Sequence, residues 1–258
     1  MNLSLAGRVC VITGSSRGIG AAFAESFASE GCHVVINYLK NAEKAEILAE
    51  KLQKEYGVDC LAIQADVTNE NDVKRLISMV MDEFDRIDIV VNNALYGYLF
   101  DPTERKWAWE VEWDDYQRQI DGSLKGTYLM CKYSIPHMKD INFGRIINMT
   151  TNLLYRPIVP YHDYNTAKGA VMTYSQNLAA DIGRFGITVN CIAPGLVYPT
   201  EASKRTKEEV KSVIVAETPL GRIARPEDIT GTALYLASNW ARFVTGQTII
   251  VDGGYTMK

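Results

Sequence analysis

Residues 9–23, Val9-Cys-Val-Ile-Thr-Gly14-Ser-Ser-Arg17-Gly18-Ile-Gly20-Ala-Ala-Phe23, constrain the fold of this chain more than any other stretch. Val9 to Ile12 is a short apolar run of the kind a fully buried strand uses. Thr13 and Gly14 break it, and Gly18 and Gly20 open a helix whose apolar face is Ile19, Ala22, Phe23 and Phe27. A strand, a glycine turn and a helix start together make a phosphate-binding unit. Glycine lets the backbone turn sharply, and the first turn of the helix offers free N–H groups at the positive end of its dipole. The spacing is G-x-x-x-G-x-G rather than the general G-x-G-x-x-G fingerprint, so by itself the stretch is also compatible with a glycine-rich turn that binds nothing.

The rest of the chain repeats the alternation. Strands are expected at 33–38, 60–65, 87–91, 145–149, 188–192 and 247–251, and helices at 41–56, 69–84, 113–137, 161–184 and 226–237. Strands alternating with helices predict a parallel sheet joined by right-handed crossovers. The rhythm breaks twice. Residues 96–113 are aromatic and partly acidic, with Trp107, Trp109 and Trp113 close together, and residues 198–216 form a mobile helical excursion. No linker, repeat or low-complexity stretch divides residues 1–258, so a single domain is expected.

Composition excludes several classes of function. A formal net charge of -4 without a basic run argues against binding nucleic acid. No apolar run approaches the ~20 residues needed to cross a bilayer. The five cysteines are dispersed and sit in apolar runs, and neither they nor the three histidines show metal-ligand spacing. No metal is expected, and the reading is of a cytoplasmic protein.

Several separated motifs then point one way. Thr13-Gly-Ser-Ser-Arg-Gly-Ile-Gly20, Asp66-Val67, Asn92-Asn-Ala94, Tyr164-Asn-Thr-Ala-Lys168, Pro194-Gly195, Thr218-Pro-Leu-Gly-Arg222 and Val251-Asp-Gly-Gly254 resemble, in order and over essentially the whole chain, the short-chain dehydrogenase/reductase family. The resemblance is greatest to its 3-oxoacyl-(acyl carrier protein) reductase-like branch. It implies an α/β Rossmann fold, a doubly wound parallel sheet of seven strands with a nicotinamide cofactor across its C-terminal edge. Cofactor contacts are implied for Gly14, Ser16, Arg17, Gly18, Ile19 and Gly20 in the first turn. Further along they are implied for Tyr38, Asp66, Val67, Asn92, Ala94, Pro194, Gly195 and Val197, and for Tyr164 and Lys168 beside the nicotinamide. The long helices and the apolar tail resemble the contacts by which family members form tetramers, so a homotetramer is expected.

Tyr164 and Lys168, four apart on a helix, can meet one ligand. A free tyrosine titrates near ~10 and is a poor acid at neutral pH. A nearby ammonium favours the phenolate, and Lys168 is the group placed to supply it. The family's serine lies thirteen positions before its tyrosine, which here is Thr151, a hydroxyl with an added methyl. Its relay asparagine corresponds to Ser123, and the glycine that follows Asn-Asn-Ala corresponds to Leu95. No acid stands near the end of the second strand to read a ribose 2′-hydroxyl, whereas Arg17 and Lys40 offer positive charge for a 2′-phosphate, so NADP(H) is the expected cofactor. The expected reaction is reduction of a ketone to a secondary alcohol. A 3-oxoacyl thioester or related ketone, free or carried on acyl carrier protein, is the first substrate class, with sugar, steroid or xenobiotic ketones as alternatives. A low-turnover NADP-binding regulator is a further possibility. Segments 96–113 and 198–216 are expected to flank the mouth, and the tryptophans either line a ketone pocket or pack against a partner subunit.

Overall fold

The computed structural model describes residues 3–95 and 97–257. Seven strands form one parallel sheet in the order β3-β2-β1-β4-β5-β6-β7. They are β1 Val9–Ile12, β2 His33–Tyr38, β3 Cys60–Gln64, β4 Ile89–Asn92, β5 Gly144–Met149, β6 Ile187–Pro194 and β7 Thr248–Val251. The helices are α1 Gly18–Ser29, α2 Ala42–Tyr56, α3 Glu70–Phe84, α4 Trp113–Ile120, α5 Gly126–Asp140, α6 His162–Ile182, α7 Glu208–Glu217 and α8 Pro226–Ala237. Because every strand is parallel, helices cover both faces and the strands are largely apolar, with polar exceptions such as Asn37 in β2 and Asn148 in β5.

Strand periodicity decides which face each residue serves. In β1, Cys10 and Ile12 face one core layer with Phe23, Phe27 and Leu52, together with Ile229, Ala233 and Leu236 of α8. Val9 and Val11 face the other, with Val73, Leu76 and Val80 of α3 and Leu129 and Met130 of α5. All five cysteines are buried free thiols, Cys10, Cys32, Cys60 and Cys131 of them inside these layers. Among the described residues no helix is long and apolar enough to cross a membrane.

Three local features depart from the sequence expectation. Strand β4 begins at Ile89 rather than Ile87, because the Asp88 carboxylate takes the Val9 N–H at 2.9 Å and is bracketed by Arg8 and Arg86. The long helix expected from 113 to 137 is two helices joined by a π-helical turn, Asp121–Lys125. A short 3-10 turn, Asn152–Leu154, follows β5, with Thr151 Oγ1 accepting the Leu153 N–H at 3.2 Å.

The order of strands reverses direction between β1, with β2 and β3 to one side, and β4 to β7 on the other. A crevice must open there, beyond the C-terminal strand ends, because the crossovers on either side of it leave in opposite directions.

Candidate active site

That crevice is a cavity of about 780 Å3. Its floor is the turn after β1. Thr13 Oγ1 accepts the N–H groups of Asn93 and Ala94 at 2.9 and 3.0 Å, and the Asn93 amide donates to Thr13 O and Gly14 O at 3.0 and 3.2 Å. The turns after β1 and β4 are thereby locked together. Gly20 is obligatory: a Cβ there would lie 2.5 Å from Gly14 O and 2.7 Å from the Asn93 amide nitrogen. Arg17 precedes α1 in extended backbone with no side-chain cap on the helix, so the first-turn N–H groups carry no side-chain partner. Such a helix start, reached through a glycine loop and opening on a large cavity, is the donor set a dinucleotide pyrophosphate requires.

Of the residues implied for the cofactor, Gly14, Ser16, Arg17, Gly18, Ile19 and Gly20 line the cavity. So do Tyr38 at the end of β2, Asp66 and Val67 beyond β3, Ala94 beyond β4, Pro194 at the end of β6, and Gly195 and Val197 beyond it. Asn92 does not. It is the last residue of β4 and points into the interior, where its amide donates to Asn148 Oδ1 at 2.8 Å, and the chain presents Asn93 to the cavity instead. Ser123 is also displaced from its expected place. It is buried in the π-helical turn, its Oγ has no partner among the described residues, and Gly122 is the residue of that turn on the cavity wall. The wider turn inserts a residue and rotates the side chains that follow.

Asn37 was not singled out in the sequence, yet it is a keystone. Its Oδ1 accepts the Gly14 N–H at 3.1 Å, and its amide donates to Ala65 O at 3.0 Å, tying the glycine turn to the end of β3. The only signal in the sequence is a polar residue inside the apolar run 33–38. Replacing Asn37 with Leu leaves buried backbone groups unpaired and is expected to cost about 2–4 kcal/mol, read as a lower urea midpoint at unchanged slope. A second unforeseen tie joins Asn152 to Asp252: the Asn152 amide donates to Asp252 Oδ2 at 3.0 Å, and the same carboxylate takes the Gly254 and Thr256 N–H groups.

Tyr164, Lys168 and Thr151 come together at the centre, all three buried. Tyr164 lies in the first turn of α6 and Lys168 one turn later. Lys168 Nζ donates to Met149 O at 2.8 Å and stands 5.9 Å from the Tyr164 ring centroid. Burial raises the Tyr164 phenol well above its ordinary value, opposed only by its hydrogen bond with Thr151. Without the cofactor's positive ring, which the expected effect of Lys168 on Tyr164 includes, desolvation dominates, and the ammonium is turned to the end of β5. The same burial lowers Lys168 from 10.5 to about 8.

An aromatic box stands over Tyr164. The Tyr98 ring stacks on it at 5.0 Å, the Phe100 ring meets it edge-on at 5.1 Å, and Tyr161 packs edge-on against Tyr98 at 5.7 Å. The Tyr98 hydroxyl donates to Asp163 at 3.3 Å. The Phe100 N–H donates to Ala202 O at 3.0 Å, joining the aromatic segment to the excursion, so both flank the mouth as the strand order requires. Leu95 also lines the cavity. Tyr96, where the aromatic segment was taken to begin, lies outside the described residues. Trp107, Trp109 and Trp113 do not line the pocket; they are exposed, Trp109 by 78%.

A seven-stranded switch-point crevice with a glycine cradle and a buried Tyr-Lys-Thr group defines a nicotinamide-dependent oxidoreductase. A family model described as enoyl-(acyl carrier protein) reductase matches residues 14–256. The chain belongs to the short-chain dehydrogenase/reductase family. It is 36% identical over 247 residues to a 3-oxoacyl-[acyl-carrier-protein] reductase of Staphylococcus aureus, covering 96% of this chain and 97% of that one. A gluconate 5-dehydrogenase structure from Burkholderia cenocepacia, in complex with NADP and tartrate, superposes with TM-score 0.89 at 32% identity, covering 98% of this chain and 97% of the other. A 7 alpha-hydroxysteroid dehydrogenase complexed with NADH and 7-oxo glycochenodeoxycholic acid matches with TM-score 0.89 at 29% identity over 98% of this chain and 96% of that one.

Proposed function

We propose that this oxidoreductase reduces a ketone to a secondary alcohol with NADP(H), Tyr164 acting as the proton donor. The supporting observation is the buried Tyr164 hydroxyl beside Thr151, on the wall of a cavity whose far end is the glycine cradle. When bound, the reduced nicotinamide supplies a hydride to the carbonyl carbon. Tyr164, protonated at neutral pH because burial raises its titration, gives its proton to the carbonyl oxygen. Thr151 Oγ1 accepts the Leu153 N–H and is hydrogen-bonded to Tyr164, so a carbonyl oxygen seated at the Tyr164 hydroxyl meets the Thr151 hydroxyl too. Lys168 uses one N–H on Met149 O and keeps two for the ribose hydroxyls. A 3-oxoacyl thioester is the substrate suggested by the Staphylococcus aureus relative, and sugar-acid and steroid ketones by the two structures. A ketone panel scored by NADPH absorbance tests the activity.

Arg17 carries the cofactor preference. It lines the cavity and pairs with Glu201 at 3.5 Å, both side chains about half exposed. An exposed pair of this kind contributes ~0–1 kcal/mol, little enough for a 2′-phosphate to displace it. Arg17→Ala is expected to weaken NADPH by about 1.5–3 kcal/mol and NADH far less, as measured by titration calorimetry. Equal losses for both would remove the assignment. We also propose a homotetramer in the cytoplasm, a state in which exposed apolar side chains such as Phe243 and Trp240 would be covered.

A further inference from the structure

Arg17 in the glycine turn and Lys40 after β2 are the cations of the wall proposed for the 2′-phosphate, and both line the cavity. They differ in one respect. Lys40 carries no ion pair among the described residues, whereas Arg17 Nη1 lies 3.5 Å from Glu201 Oε2. Glu201 also lines the cavity, so a carboxylate of the excursion 198–216 reaches the guanidinium proposed to read the cofactor.

The backbone that carries Glu201 is fixed. The Thr200 N–H donates to Ser203 Oγ at 3.0 Å, and the Ser203 N–H donates to Thr200 Oγ1 at 3.1 Å, closing a turn around Glu201. The next residue, Ala202, is held through its carbonyl by the Phe100 N–H at 3.0 Å. This turn lies against the glycine loop itself, since a Cβ on Gly18 would stand 3.9 Å from the Thr200 side chain. A fixed backbone lowers the ordering entropy that an exposed ion pair costs. Glu201 has a second partner as well, Lys204, three residues further on.

Two anions therefore compete for one guanidinium. A 2′-phosphate takes charge-assisted hydrogen bonds from Arg17 only where the Glu201 carboxylate gives way, and Lys204 is the cation left to that carboxylate. NADH has a hydroxyl in place of the phosphate and leaves the pair intact. The cost of parting Arg17 from Glu201 thus falls on NADPH alone. We infer that Glu201 is a specificity-determining residue of the cofactor site, competing with the 2′-phosphate for Arg17 and holding down the preference for NADPH over NADH. This inference rests on the reading of Arg17 given above.

The test is titration calorimetry of NADPH and NADH on the full chain, comparing wild type, Glu201→Gln, Arg17→Ala and the variant carrying both. Glu201→Gln should tighten NADPH about two- to fivefold, the range an exposed ion pair spans, and leave NADH unchanged. In the Arg17→Ala background the same substitution should move neither cofactor. Glu201→Gln combined with Lys204→Met should bind NADPH as tightly as Glu201→Gln does. A return of that variant to wild-type affinity would mean that a freed Lys204 reads the phosphate, and would overturn the inference. Tightening of NADPH that persists without Arg17 would overturn it too, since the carboxylate would then act by direct repulsion. So would a Glu201→Gln variant that leaves NADPH unchanged or weaker, or that tightens both cofactors alike. In all of these cases a loss confined to NADPH in Arg17→Ala leaves the reading of Arg17 standing. If Arg17→Ala weakens both cofactors equally, that reading fails and the inference falls with it.

Discussion

Tyr164→Phe is expected to abolish ketone reduction while NADPH binds almost as before. The substitution removes one oxygen and keeps the ring, so the stacking with Tyr98 and the edge contact with Phe100 persist and the box over the site stays packed. What disappears is the only proton donor proposed for the carbonyl oxygen. Positioned general acids contribute ~10²–10⁴-fold, so kcat should fall at least a hundredfold, with cofactor affinity unchanged by calorimetry. Retention of half the activity would show that the proton comes from elsewhere. A wild-type protein inert toward every ketone would instead favour the low-turnover regulator.

Lys168→Met is expected to be inactive and yet more stable. Lys168 is buried and its titration is depressed from 10.5 to about 8 by desolvation, so at neutral pH the folded protein holds a charge that burial disfavours. The sign follows from proton counting. Between about pH 8 and 10.5 the unfolded lysine keeps its proton and the folded one has lost it, so stability rises with pH across that window. Below it the penalty is fully present, on the order of 3 kcal/mol from a depression of this size. Methionine fills much the same volume without a charge, but forgoes the bond to Met149 O. The net gain at neutral pH is therefore about 1–3 kcal/mol. Urea unfolding at pH 7 and pH 10 checks it: the difference between variant and wild type should shrink at the higher pH. A variant less stable than wild type at pH 7 would mean that the bond outweighs the burial. Turnover should fall at least ~10²-fold, since a positioned cation at the reacting centre is lost.

The alternation of apolar runs with amphipathic helices determined the parallel α/β architecture, because each run has only one period that buries it. The glycine spacing determined where the turn into α1 lies, since Gly20 tolerates no side chain, and Arg17 before it leaves the start of α1 without a side-chain cap. The four-residue interval of Tyr164 and Lys168 determined that they share a helix face. Local periodicity and backbone sterics settle these features within a few residues. Side-chain direction at the strand ends was decided only in the tertiary structure. There one step of pleat sends Asn92 inward to Asn148 and leaves Asn93 to lock the glycine turn, and a π-helical turn withdraws Ser123 from the wall. Asn37 became a keystone only because β3 lies beside β2 and brings Ala65 O within reach. The direction of the Tyr164 and Lys168 shifts was likewise out of reach in one dimension. Proximity of a cation argues for a lowered tyrosine, but burial beneath Tyr98 and Phe100, contributed by a segment more than sixty residues away, outweighs it. Desolvation sums over everything that surrounds a group, and only the folded chain determines what surrounds it.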